Sequence, residues 1–298
     1  MGSEESVTGA AVPESGPIRS LWARWEDWLG RHAPQLMPGL ASPADAATLA
    51  AAQARLGQDL PAALCDLLEI HDGGRQIIGG WDLLNADGIV DAYQLIQLYA
   101  DEPERAPGWI PFVDSVAGDY LCLDMNPGSG GGAGQVFCYR HDSENGLPMA
   151  ASLEAWLERI AACLEAGDIV YDAAREDFLP FYGATGFAVA FAADPPLRLD
   201  AAHPEAAVAG PRTVSLGTVD SAGPLPGGAR IELVEGGTVT ALWDLDELRE
   251  TAECATDYNI LILGAAPSGR VAETAALRMS GLTSADTVWI RLVGDQGE

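Results

Sequence analysis

The 298-residue sequence contains no lysine. Its 16 basic residues are all arginine, set against 44 aspartates and glutamates, for a formal net charge of −28. A surface of this sign repels phosphate backbones, so no nucleic-acid ligand is expected. It also repels anionic bilayers. Long apolar runs are missing as well. None approaches the ~18–20 residues that span a bilayer, so no membrane association is expected. Met1 to Gly16 has neither the basic nor the apolar region of a secretory signal, and a cytoplasmic location is the expectation.

Catalytic and metal-binding patterns are also scarce. The five cysteines, Cys65, Cys122, Cys138, Cys163 and Cys254, are scattered and odd in number, as reduced, buried thiols would be. The four histidines, His32, His71, His141 and His203, never fall at metal-ligand spacing. No G-x-S-x-G elbow occurs. Asp119 and Asp124 sit on opposite faces of one strand and cannot form a general acid/base pair. They are expected to brace the Gly118 turn and the Pro127 loop instead. No enzymatic activity, cofactor or metal is therefore expected.

What the chain does have is apolar content. Hydrophobic residues make up 48% of it, enough for a buried core despite the charge. Residues 1–16 lack periodicity and read as a disordered tail. Leu21, Trp22, Trp25, Trp28 and Leu29 form one helical stripe over Arg19–His32. Ser42-Pro43 predicts the start of a second helix that stops at Gly57. Pro61 predicts a third, with Leu64, Leu67 and Leu68 inward. A strand or hairpin follows over Gln76–Leu84, then a helix over Val90–Tyr99. Strands are predicted at Trp109–Val113, Asp119–Met125 and Gly134–Arg140. Ser152 predicts a helix with Leu153, Trp156, Leu157, Ile160 and Leu164 inward.

After Tyr182 the composition shifts. Residues 183–229, rich in Pro, Gly and Ala, read as a linker with one strand, Thr213–Val219. Residues 230–298 read as a small α/β or α+β domain in the order β-β-α-β-α-β, opened by a hairpin at Gly236-Gly237. Its second helix is placed at Val271–Met279. Gly264 to Val271 then stands between strand and helix, the context of a phosphate-binding loop. Arg270 and Val271 replace the Lys and hydroxyl that such a loop needs. Nucleotide binding through 264–271 is a remote alternative.

The stretch from Trp22 to about Asp177 resembles the SUKH superfamily, the family of the Smi/Knr cell-wall synthesis regulator of yeast. The resemblance rests on Leu56-Gly57 with Asp59-Leu60-Pro61, on Ile70-His71-Asp72-Gly73, and on Trp109-Ile110-Pro111-Phe112. It continues through Gly118-Asp119 leading to Asp124, then Pro127 and Gly134-Gln135-Val136, and closes with Ser152 and Trp156. Family members often carry Asn where His71 stands. The resemblance implies an α+β fold for residues 17–182, a mixed, mainly antiparallel sheet surrounded by helices. It implies binding rather than catalysis: bacterial members are thought to be mostly immunity proteins that neutralise toxins, often nucleases, and fungal members resemble interaction hubs.

Charge agrees with the first of these. Residues 1–180 hold 28 acidic residues and 9 arginines, a net −19. An acidic surface opposes the basic surface a nuclease needs. The expected partner is a protein, and a basic toxin domain in particular. Asp72, Asp82, Asp101, Glu102, Glu104, Asp114 and Asp142 are the candidate charged contacts, with Trp81 or Tyr139 as an aromatic anchor. A regulatory scaffold without a toxin partner is the alternative. Composition alone can also produce such acidity.

Overall fold

The computed structural model describes residues 16–78, 81–128, 131–141, 145, 148–174, 176–179, 197–210, 212–251, 254–255, 260–262, 268–271 and 274–294. Apart from Gly16, the expected tail lies outside them.

Helix α1 (Pro17–His32) starts with proline at its first position, where a missing N–H costs nothing, and buries Ile18, Trp22, Trp25, Trp28 and Leu29. Helix α2 (Ala46–Leu56) starts later than Ser42-Pro43 suggests. Its cap is Asp45, whose side chain accepts from the Thr48 amide and hydroxyl at 2.8 Å. Gly57 ends it in the left-handed region, as expected. Helix α3 (Ala62–Leu68) turns Leu64, Leu67 and Leu68 inward.

Strands β1 (Gly74–Ile78) and β2 (Trp81–Leu83) form the expected hairpin. Helix α4 (Ala86–Tyr99) begins four residues before the periodic stretch, capped by Asn85. Strands β3 (Trp109–Asp114), β4 (Tyr120–Asp124) and β5 (Gln135–Tyr139) follow. Helix α5 (Leu153–Ala166) carries the Ser152 cap, and the short pair β6 (Val170–Asp172) and β7 (Asp177–Leu179) ends this part.

The first five strands make a sheet in chain order, and every pair in it is antiparallel. Its two faces are both covered. On one, Ile110, Phe112, Leu121 and Leu123 pack under Trp22, Trp25, Trp28 and Trp156. On the other, Trp109, Tyr120, Cys122, Phe137 and Tyr139 pack under Ala92 and Ile96 of α4. All five residues of β4 are thus buried, with period 2 dividing them between two cores.

The rest of the chain is richer in strand than its composition suggests. Residues 197–221, expected in a linker with one strand at Thr213–Val219, hold that strand within the ten-residue β10 (Arg212–Ser221), preceded by β8 (Leu197–Asp200) and β9 (Glu205–Ala209). The predicted hairpin forms from β11 (Arg230–Glu235) and β12 (Thr238–Asp244). Gly236 and Gly237 both sit at positive φ in its turn. Helix α6 (Leu245–Thr251) follows, with Asp244 accepting from the Asp246 amide at 3.0 Å. Then come β13 (Cys254–Ala255), β14 (Ile260–Ile262), β15 (Ser268–Val271), β16 (Thr274–Ser280) and β17 (Thr287–Gly294).

The helix expected at Val271–Met279 is therefore a correction: it is strand. Pairing with β11 and β9 overrides the helical propensity of its alanines, and Ala275, Leu277 and Met279 alternate inward. The phosphate-loop context fails with it, because no helix follows whose N-terminus could face a phosphate. Residues 263–267 lie outside the described residues. One sheet runs β13-β14-β10-β17-β8, with β15 also on β10, and a second runs β12-β11-β16-β9. They share a core that includes Val214, Ile231, Leu233, Trp243, Leu277 and Ile290.

Among the described residues, hydrogen bonds from two side chains tie this part to the first. Trp289 Nε1 donates to the Asp168 carbonyl at 3.1 Å, and Arg198 Nη1 donates to the Ala166 carbonyl at 3.2 Å.

Candidate interaction surface

One row of side chains crosses the first sheet. Asp82 on β2 lies opposite Asp114 on β3, Asp114 opposite Tyr120 on β4, and Tyr120 opposite Tyr139 on β5. Directly opposed residues share a face, so two carboxylates and two phenols stand side by side. Burial, reinforced by the Asp82 charge, pushes the Asp114 carboxyl above its ordinary range. Burial likewise raises the Tyr120 and Tyr139 phenols.

A cleft opens at each end of the row. The first, about 410 Å³, is lined by Asp72, Asp82, Asp114, Arg75 and Asn85 among others. It brings together three of the expected contacts, but each has an internal task. Asp72 Oδ1 accepts from the Ala86 amide at 2.7 Å and so holds the first turn of α4. Asp82 Oδ1 accepts from the Gln76 amide and Asp114 Oδ1 from the Val116 amide, both at 2.7 Å.

The second cleft, about 460 Å³, is lined by Tyr99, Asp101, Glu102, Tyr139, Arg140 and His141, with Asn145. Glu102 Oε2 accepts from Arg105 Nη1 at 2.7 Å, and Arg105 Nη2 reaches the buried Asp124 at 3.0 Å while its guanidinium covers the Trp109 ring. Asp124 also accepts from the Asn126 amide, consistent with a brace for the following loop. Asp119 serves a different neighbour from the one expected. Its buried carboxylate accepts from the His141 amide at 3.2 Å and pairs with His141 Nδ1 at 2.8 Å. Asp101 and Glu104 are exposed, and no protein group engages their carboxylates among the described residues.

The aromatic anchors require correction. Trp81 is 2% exposed and belongs to the main core, so no partner reaches it. Tyr139 is 5% exposed and contributes only a wall of the second cleft. Asp142 lies outside the described residues. Sequence reasoning missed an apolar tip at the end of α4, where Leu95, Leu98 and Tyr99 are 45%, 71% and 67% exposed. A signal was present: the inward stripe Ile89, Ala92, Ile96 leaves Leu98 on the opposite side, with Leu95 and Tyr99 flanking it.

Burial pushes the Cys138 thiol up to about 12 and the Cys122 thiol well above its usual value, so neither is a nucleophile at neutral pH. Among the described residues no group of three or more His, Cys, Asp or Glu could hold a metal ion, and no helix is long and apolar enough to cross a membrane.

Comparison with known proteins places this surface in a family context. Residues 43–159 match the SMI1/KNR4 family (SUKH-1), and the C-terminal part matches no family. The chain is 23% identical over 234 residues to KNR4/SMI1 homolog 2 of Debaryomyces hansenii, covering 58% of this chain and 40% of that protein. It is 26% identical over 201 residues to the cell wall biosynthesis/cell cycle regulator smi1 of Schizosaccharomyces pombe, covering 56% of this chain and 40% of that protein. The match thus spans less than half the length of either curated relative.

Proposed function

From a SUKH-1-like domain as premise, we propose that the protein is a non-catalytic, cytoplasmic binding module whose N-terminal half engages a basic protein partner. The observation that carries this reading is the second cleft with its surroundings. Exposed carboxylates at Asp101 and Glu104 stand beside exposed Leu98 and Tyr99. Apolar contacts ringed by charge are what protein interfaces use, and charge of one sign selects the partner and speeds the encounter.

The finer reading is an immunity protein that neutralises a basic toxin domain. The net −19 of residues 1–180 supports it, since a nuclease presents the opposite charge. A second reading, a regulatory scaffold, is favoured by the Schizosaccharomyces pombe relative, which is named as a cell wall biosynthesis/cell cycle regulator. Co-purification of the full chain from its native cell separates them. A basic, toxin-like partner released by salt supports immunity. A signalling or cell-wall protein supports the scaffold. Acidic partners only, held regardless of salt, contradict both.

A further inference from the structure

Helix α4 ends on an apolar tip attached to an acidic loop. Leu95, Leu98 and Tyr99 fall at i, i+3 and i+4 and share one side of the last turns. Earlier on the helix the exposed positions are polar, Asp87, Asp91 and Gln94, and Arg55 of α2 pairs with Asp87 at 2.5 Å and Asp91 at 2.9 Å. The outward side of α4 thus changes from polar, with its carboxylates paired internally, to apolar and uncovered.

Beyond Tyr99 the chain turns through Asp101, Glu102 and Glu104, and the cleft opens between this loop and Tyr139. Its charges are not equivalent. Glu102 is paired with Arg105, and His141 with Asp119. Arg140 lines the β5 side of the cleft and opposes a guest cation there. Asp101, on the loop side next to Tyr99, is the lining carboxylate left to meet a ligand.

We infer that this cleft receives one arginine side chain of a protein partner. Its guanidinium stacks on the exposed Tyr99 ring and pairs with Asp101, while apolar residues one helical turn away on the partner cover Leu95 and Leu98. Arginine fits better than lysine because its planar, weakly hydrated head stacks on an aromatic face and pairs with a carboxylate at once. The inference rests on the reading of an acidic binding module and names the group that such a module grips.

The test titrates the full chain by calorimetry with a short helical peptide carrying one arginine flanked by leucines a turn away, and with its Arg→Gln and Arg→Lys counterparts. The arginine peptide binds in a salt-sensitive way, the lysine peptide binds more weakly, and the glutamine peptide loses about tenfold or more. Tyr99→Ala and Asp101→Asn each weaken the arginine peptide about tenfold and leave the glutamine peptide unchanged, a coupling that a merely structural role does not produce. Leu98→Ser weakens all three. These residues are exposed, and unchanged melting temperatures confirm that the variants fold. Equal binding of the arginine and glutamine peptides, or no binding by any peptide, overturns the inference. Salt-sensitive binding that ignores Tyr99 and Asp101 also overturns it but leaves the acidic-module reading standing. Binding that ignores salt overturns both.

Discussion

Asp82 and Asp114 face each other across the β2–β3 pair, and each carboxylate holds a non-glycine residue at positive φ. Asp82 accepts from the Gln76 amide, at φ 55°, and Asp114 from the Val116 amide, at φ 62°. Like charges directly opposite destabilise a sheet. Here they pin an irregularity within β1 and the bend after β3, at backbone conformations that Gln76 and Val116 disfavour.

That relationship gives a pH prediction. The folded state holds the Asp114 carboxyl above its ordinary value, through burial first and the Asp82 charge second. The folded protein therefore binds this proton more tightly than the unfolded chain does. The associated stability is complete below the ordinary carboxylate pKa and is lost as pH rises through the raised value. Asp114→Asn keeps an oxygen for the Val116 amide and removes the titration. Thermal melts should show the variant more stable than wild type at neutral pH, with the gap closing in acid. A variant less stable at pH 7 refutes this account of the pair.

Val116 supplies a second prediction. A β-branched residue in the left-handed region costs ~1–2 kcal/mol, and Val116 is 69% exposed, so it gains little from burial. Asn tolerates that region. Val116→Asn should raise stability by up to about 1 kcal/mol in urea unfolding. A loss of stability would mean that the valine side chain has a contact that outweighs its strain.

The tryptophan core makes the opposite prediction. Trp156 is fully buried, with its ring 5.3 Å from Phe112 in an edge-on arrangement. Trp156→Ala should cost about 3–5 kcal/mol, a large share of the ~5–15 kcal/mol by which a domain is ordinarily stable. A drop under about 1 kcal/mol by denaturant melts contradicts the packing described.

Nucleotides should leave the protein unchanged. With Ser268–Val271 and Thr274–Ser280 both strands, no helix follows residues 264–271 among the described residues to turn its N-terminus to a phosphate. ATP or GTP with Mg²⁺ should give no thermal shift at saturating concentration. A ligand at ~100 Kd adds about 2.7 kcal/mol, so binding could not pass unseen.

Much of the N-terminal part was legible because its signals are local. The tryptophan stripe of α1, the Ser152 cap and the Gly57 stop each depend on residues within one or two turns. Gly236-Gly237 marked its hairpin for the same reason. The C-terminal strands were harder to read. Glu205–Ala209 and Thr274–Ser280 are alanine-rich and poor in β-branched residues, and they are strands because they pair with each other and with β11. Asp45 outcompeted Ser42 as a cap because its oxygen reaches both the Thr48 amide and hydroxyl. At the candidate surface the acidic loop was visible in composition. Trp81 was misjudged because sequence alone does not show that both faces of this sheet are covered, and the exposed tip of α4 emerges only once its inward face is known.

The most direct test of the account is the salt dependence of binding to the purified native partner, for the full chain and for Asp101→Asn with Glu104→Gln. The account predicts a basic partner whose affinity falls as salt rises, and a variant that binds more weakly with a shallower slope. A partner bound equally by both proteins, with no dependence on salt, would contradict it.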